Sequence, residues 1–169
     1  MTRASAAAIV CVAVVAAAVM SVAAAPALAQ GTRPRASVEA LGPDGPVAPG
    51  ASVTVRLAVT LPDAVHVQAH EPADPLLIPT VLGIEAPPGI TIEAIAYPAP
   101  SELAQAGRAT PLLVLGPRFS IEVRAAVSAD ASAGAIALPG VLRYQACTDE
   151  VCFPPARAAA RWQIRVATP

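Results

Sequence analysis

Two cysteines near the C-terminal end of the chain carry its clearest chemistry. Cys147 and Cys152 are separated by four residues, and Pro154 and Pro155 follow directly. A chain reversal over residues 148–151 would place both thiols on neighbouring antiparallel strands. Opposed Cα atoms on such strands lie about 4.5–5.5 Å apart, which is within the ~4.4–6.8 Å range of disulfides. The spacing therefore predicts a disulfide at one end of a sheet, close to solvent, where the prolines stop the ladder.

The predicted disulfide has a structural and a chemical interpretation. Closing so short a ring removes only about 2 kcal/mol of unfolded-state entropy, against about 4 kcal/mol for a ring of fifty or more residues. A weak crosslink gives weight to thiol–disulfide exchange, in which a thiolate attacks one sulfur and a second thiol resolves the mixed disulfide. Asp149 and Glu150 disfavour a thiolate beside them, so neither thiol is strongly activated. An interaction domain with a purely structural disulfide stays open as the alternative.

A metal site is the third interpretation of the same region. His66 and His70 share parity on one predicted strand, and together with the two cysteines they could bind zinc or copper. Sulfurs joined in a disulfide are not thiolate ligands, however. We therefore predict no metal and no other cofactor. The sequence also contains no pattern typical of a serine hydrolase or a phosphate-binding loop.

The elements that position these residues are short strands. Apolar and polar residues alternate most clearly over residues 53–61, 119–127 and 162–166, and Trp162 is predicted to pack in the core. Weaker strand candidates are residues 37–41, 65–70, 80–86, 90–97, 112–115, 136–138 and 141–147. Short strands separated by Pro- and Gly-containing turns predict an all-β, immunoglobulin-like antiparallel β-sandwich. Residues 98–111 are predicted to be a long loop, with a helix-compatible run at 101–106.

The N-terminal segment predicts export. Residues 1–29 have the basic start, apolar run and A-x-A ending of a secretory signal peptide, which leaves residues 30–169 as one domain in the periplasm or outside the cell. No later apolar run reaches the ~18–20 residues of a spanning helix, so we expect no lipid insertion after cleavage. Eleven basic and twelve acidic residues give a net charge of −1, which excludes a mainly electrostatic nucleic-acid binder.

The cysteine segment also resembles a known family. Residues 144–155 read Tyr-Gln-Ala-Cys-Thr-Asp-Glu-Val-Cys-Phe-Pro-Pro. This run resembles the active-site hairpin of the N-terminal (alpha) domain of the thiol:disulfide interchange protein DsbD family. His66-Val67 and residues 72–80 are similar to the first half of that domain. The resemblance extends over residues 37–166.

The resemblance implies a function. It suggests an immunoglobulin-like periplasmic domain with thiol–disulfide exchange activity of the protein-disulfide reductase type. Such a domain receives electrons and passes them to oxidised periplasmic thioredoxin-like proteins. Cys147 and Cys152 would be the exchanging pair, with Cys152 bonding the partner and Cys147 resolving. As a stand-alone domain, the chain would take its electrons from a separate membrane electron-transfer protein.

The resemblance further suggests residues that cap the disulfide or contact a partner. In the family, a cap loop with an aromatic residue covers the disulfide, and residues 97–116 would occupy its place. Tyr97 would be its aromatic residue, and Leu103 and residues 112–115 are the other apolar candidates. His66 and Gln68 stand where the family has aromatic residues near its active site. Tyr144 and Phe153 flank the cysteines, where they either form an apolar docking rim or pack the hairpin.

Overall fold

The structure, a computed structural model, describes residues 33–168, and its regular elements there are all β-strands. The predicted signal peptide, residues 1–29, lies outside the described residues. No helix in residues 33–168 has the length and apolar character to span a membrane. The strands in chain order are β1 (Ser37–Leu41), β2 (Ser52–Thr60), β3 (His66–Gln68), β4 (Val81–Ile84), β5 (Ile90–Ala96), β6 (Ser101–Leu103), β7 (Leu112–Leu115), β8 (Arg118–Val127), β9 (Gly134–Tyr144), β10 (Ala146–Cys147) and β11 (Ala156–Val166).

The strands form three sheets. Sheet A has the order β1-β2-β8-β5, sheet B has the order β11-β9-β4, and sheet C has the order β10-β3-β7-β6. Every pair of these neighbouring strands is antiparallel. The prediction of an all-β, immunoglobulin-like antiparallel β-sandwich is confirmed.

The core is formed by the inward faces of sheets A and B together with Val67, Leu115 and Ala146 of sheet C. Along β2 the apolar residues are buried and most of their polar neighbours are exposed, as the alternation of the sequence predicts. β8 and β11 show the same alternation. The largest fully buried side chains of these three strands are Leu57, Ile121, Trp162 and Ile164.

Trp162 joins the two sheets, so its predicted core position is confirmed. The residue is 1% exposed, and its Nε1 donates a hydrogen bond to the backbone oxygen of Arg56 on β2 at 2.8 Å. Gly140 on β9 lies against the indole ring, because a Cβ atom at that position would be 2.9 Å from Trp162 Cζ3. The ring therefore needs a residue without a side chain beside it.

Two local predictions are wrong. Ser101–Leu103 is a strand in place of the start of a helix-compatible run, because β7 offers it an antiparallel partner. Residues 136–138 and 141–144 belong to one strand, β9, that continues through Pro139. The carbonyl of Pro139 accepts a bond from Glu85 N, just past the last residue of β4. The missing N–H of Pro139 faces the same side as that carbonyl, so the pairing of β9 with β11 loses no donor.

The cysteine segment passes from one sheet to another. β9 ends at Tyr144 in sheet B, and β10 begins at Ala146 in sheet C, with Gln145 between them. The Nε2 of Gln145 donates to the carbonyl of Phe153 at 2.9 Å and thereby ties the two arms of the hairpin together. The cysteines therefore lie at the edge of sheet C.

Candidate functional site

Cys147 and Cys152 form a disulfide on a short hairpin, as the spacing predicts. The S–S distance is 2.07 Å and the Cα–Cα distance is 4.0 Å. Thr148 N donates to Val151 O, and Phe153 N donates to Ala146 O, both at 2.9 Å. These bonds enclose the cysteines as a non-hydrogen-bonded antiparallel pair, the arrangement in which opposed side chains are closest. The observed Cα–Cα distance of 4.0 Å is shorter than the value of about 4.5 Å typical of such a pair.

The side chain of Thr148 holds the turn. Its Oγ1 accepts bonds from Glu150 N at 3.3 Å and from Val151 N at 3.2 Å. A hydroxyl that bonds the backbone two and three residues later is a common local turn motif. The role of Thr148 was not predicted from the sequence, although a Thr directly after the first cysteine is a turn signal.

The two cysteines differ in exposure. Cys147 is 0% exposed, whereas Cys152 is exposed. The cause is their place in sheet C, since Cys147 lies between β3 and Cys152 while Cys152 lies outside β10 at the sheet edge. Beside Cys152, Val151 is 50% exposed and Phe153 is half-buried. Cys152 is therefore the more accessible of the two cysteines.

Two polar residues of β3 share a sheet face with the disulfide. His66 is directly opposite Cys147 in the register, and Val67 is opposite Ala146. Side chains of directly opposed residues point to the same face of a sheet and alternate along each strand. His66 and Gln68 therefore lie on the disulfide face, whereas Val67 and Ala146 face the core.

The imidazole of His66 is less basic than usual. Burial lowers its pKa below the ordinary value of 6.5, and the negative charge of Asp149 partly opposes this shift. Asp149 lies in the turn between the two cysteines, so a charge of the hairpin acts on the pKa of His66 in β3. A lowered pKa favours the neutral imidazole, which can accept a proton.

The lowered pKa of His66 predicts a pH dependence of stability. The unfolded chain binds a proton at His66 at higher pH than the folded protein does. The contribution of neutral His66 to the free energy of unfolding is therefore fully present above about pH 7.5. The contribution is lost as the pH falls from about 6.5 towards the lower folded-state pKa. We expect the free energy of unfolding of the wild type to fall relative to that of His66→Asn in this window.

Denaturant unfolding of both proteins between pH 8 and pH 5 measures this difference. Asp149→Asn is the matched control, because it removes the opposing charge and should move the loss to lower pH. Parallel stability curves for the wild type and His66→Asn across the window would contradict the assignment.

Gln68 is buried with an unpaired acceptor. The residue is 1% exposed, and its Oε1 has no hydrogen-bond partner. Its backbone oxygen, by contrast, accepts a bond from Thr80 Oγ1 at 2.6 Å. Buried side-chain acceptors without a partner are rare in proteins and call for a specific explanation.

The two aromatic residues that flank the cysteines have different surroundings. Tyr144 is 2% exposed, and its hydroxyl accepts a bond from Ala36 N at 2.8 Å. Tyr144 is therefore a core residue, and its predicted place on an exposed docking rim is wrong. Phe153 remains half-buried beside Cys152.

The segment expected to cap the disulfide, residues 97–116, begins after β5 of sheet A and contains β6 and β7 of sheet C. Tyr97 stacks on His70 with a centroid separation of 3.8 Å, and its hydroxyl accepts a bond from Leu82 N at 2.9 Å. Burial raises the pKa of Tyr97, and the bond from Leu82 partly offsets this rise. Further along the segment, Arg108 forms an ion pair with Asp74 at 3.3 Å.

Leu103 shares the face of the disulfide but not its neighbourhood. It lies on β6, which is three strands away from β10 in sheet C. Three interstrand steps correspond to about 14 Å. Of the residues suggested as cap or partner contacts, the register places His66 and Gln68 beside Cys147, and Phe153 follows Cys152 in the chain. Leu103 lies three strands from β10.

The fold and this hairpin define a β-sandwich domain with an edge disulfide. No family model matches the chain, and no curated protein matches it. Among solved structures, the chain is similar to the N-terminal domain of DsbD from Neisseria meningitidis in its reduced form. The identity is 16%, the match covers 76% of this chain and 83% of the other, and the TM-score is 0.42.

Proposed function

We propose that the protein is a thiol–disulfide exchange domain in which Cys152 bonds to the partner and Cys147 resolves the mixed disulfide. The unequal exposure of the two cysteines carries this proposal, since Cys147 is 0% exposed and Cys152 is exposed. Exchange requires one sulfur that a partner can attack and a second thiol held close enough to displace that partner. The hairpin supplies both sulfurs, because Cys147 and Cys152 are directly opposed at one sheet edge.

The exchange reaction proceeds in two steps that together transfer two electrons. In the reduced domain, the thiolate of Cys152 attacks one sulfur of a partner disulfide, and the other partner sulfur leaves as a thiolate that takes up a proton. The thiol of Cys147 loses its proton and attacks the Cys152 sulfur, which expels the second partner sulfur. The partner gains two electrons and two protons, and the domain ends with the Cys147–Cys152 disulfide.

The partners follow from the sequence resemblance. We propose that a membrane electron-transfer protein reduces the disulfide and that oxidised thioredoxin-like proteins reoxidise it. We place residues 30–169 in the periplasm or outside the cell after removal of residues 1–29, because disulfides persist in such oxidising compartments. Val151 and Phe153 would provide the apolar contacts of the docking surface around Cys152, and the carboxylates of Asp149 and Glu150 would favour a partner with basic groups at its rim.

The reduction potential of the pair tests the exchange function. We expect equilibrium with glutathione buffers to give a potential above about −300 mV, since stable structural disulfides have lower values. Mass spectrometry after quenching with a thiol reagent measures the reduced fraction, with Cys147→Ser/Cys152→Ser as the blank.

A potential below that value would favour the interaction domain with a structural disulfide. In that case the double variant should lose about 2 kcal/mol of stability and still bind its partner. For the metal-binding alternative, residues 33–168 contain no group of three or more His, Cys, Asp and Glu residues arranged to hold a metal ion.

A further inference from the structure

Gln68, whose side-chain oxygen has no hydrogen-bond partner, is the diagonal neighbour of the buried Cys147 in sheet C. The register places Cys147 opposite His66, and Gln68 is the next residue of β3 on the same face. Diagonal neighbours on one face have Cα atoms about 7–8 Å apart and slightly closer Cβ atoms, which is within the reach of long side chains. Gln68 and Cys147 are 1% and 0% exposed, so their polar atoms depend on protein partners.

The oxidation state of Cys147 decides whether it can partner Gln68. A disulfide sulfur carries no proton and has nothing to donate to Oε1. Reduction by a dithiol adds two electrons and two protons to the pair and gives Cys147 an S–H group, which is a donor. The oxidised structure contains an unpaired acceptor on Gln68, and the reduced protein gains a donor on the neighbouring strand.

We propose that the side-chain oxygen of Gln68 accepts a hydrogen bond from the thiol of reduced Cys147 and thereby favours the reduced form of the pair. This inference rests on the proposed function and makes Gln68 a positioning residue for exchange. The bond makes the disulfide easier to reduce, because the acceptor is unsatisfied in the oxidised state and satisfied in the reduced state. It also holds the Cys147 proton until the mixed disulfide forms.

Gln68→Met tests the proposal in a Cys11→Ser background, in which the cysteine pair supplies all thiols. Methionine keeps the length of the side chain and replaces the amide oxygen with a thioether sulfur, which is only a weak acceptor. We expect the equilibrium constant for reduction by glutathione to fall about tenfold, which is about 30 mV for a two-electron couple. Gln163→Met is the matched control, because Gln163 is an exposed residue of β11. A Gln68→Met constant equal to or above that of the control would overturn the proposal.

A second measurement keeps the Gln68 side chain in place and serves if Gln68→Met does not fold. In Cys11→Ser/Cys152→Ser, Cys147 is the single thiol, and infrared spectroscopy reports its S–H stretch. We expect a band at lower wavenumber than that of ethanethiol in hexane, as a hydrogen-bonded thiol gives. A band at the hexane position would overturn the proposal.

The outcomes separate this inference from the function on which it rests. A wild-type potential below about −300 mV speaks against exchange itself. A higher wild-type potential that Gln68→Met leaves unchanged speaks against Gln68 alone and leaves the exchange function intact.

Discussion

Cys147→Ser, with Cys152 retained, is expected to accumulate covalent complexes with periplasmic thioredoxin-like proteins, whereas Cys152→Ser is expected to accumulate none. In the first variant, the exposed sulfur forms a mixed disulfide that no second thiol resolves. In the second, the remaining sulfur belongs to a residue that is 0% exposed. Non-reducing electrophoresis of cell extracts, followed by mass spectrometry of the shifted bands, identifies the partners.

Reactivity with a small thiol reagent provides a partner-independent form of the same prediction. Alkylation of Cys147 in Cys152→Ser requires local opening of the hairpin, whereas Cys152 in Cys147→Ser reacts directly. An opening free energy of about 2.7 kcal/mol corresponds to a hundredfold slower reaction. We therefore expect at least about a hundredfold difference in rate at a fixed pH, measured in a Cys11→Ser background. Equal rates, or equal yields of mixed disulfide, would remove the asymmetry that supports the proposed roles.

Trp162→Ala is expected to cause the largest loss of stability among single changes in the core. Truncation of a buried aromatic residue costs about 3–5 kcal/mol, and the lost indole N–H also leaves the carbonyl of Arg56 without its partner, which costs about 1 kcal/mol more. A domain of this size has about 5–15 kcal/mol of stability. The variant should therefore be marginally folded or unfolded at 37 °C. Denaturant and thermal melts measure the loss of stability.

Trp162→Phe is the control for this prediction. It retains much of the apolar contact with Gly140 but not the hydrogen bond between sheets A and B, so a smaller loss of about 1–3 kcal/mol is expected. If Trp162→Ala lost less than about 1 kcal/mol, the ring would not hold the two sheets together as the structure indicates.

Those parts of the fold that depend on local chemistry were predictable from the sequence. Alternation of apolar and polar residues identified β2 and β8, because a strand places successive side chains on opposite faces. The disulfide was also predictable, because it depends only on local chain geometry. A reversal between Cys147 and Cys152 brings the two cysteines together without any other part of the chain. The core position of Trp162 followed from the alternation around it.

Pairing between distant segments decided where the local signals failed. Ser101–Leu103 is a strand because β7 lies beside it, and β9 continues through Pro139 because β4 ends next to the missing donor. The sequence predicts strands at both partners, but not their pairing with these residues. Tyr144 is close to Cys147 in the chain, yet its side chain is buried and accepts a hydrogen bond from Ala36 N. The reason is that β9 belongs to a different sheet from β10.

The sequence by itself determined that two thiols meet on a hairpin of an all-β domain. Only the tertiary structure decided that Cys147 is buried while Cys152 is exposed, and that an unpaired Gln68 oxygen lies on the same face. The physical reason is that a disulfide over five residues needs only short-range chain geometry. Burial of one sulfur, by contrast, requires β3 to dock on β10 in one register, and that register joins residues about eighty positions apart.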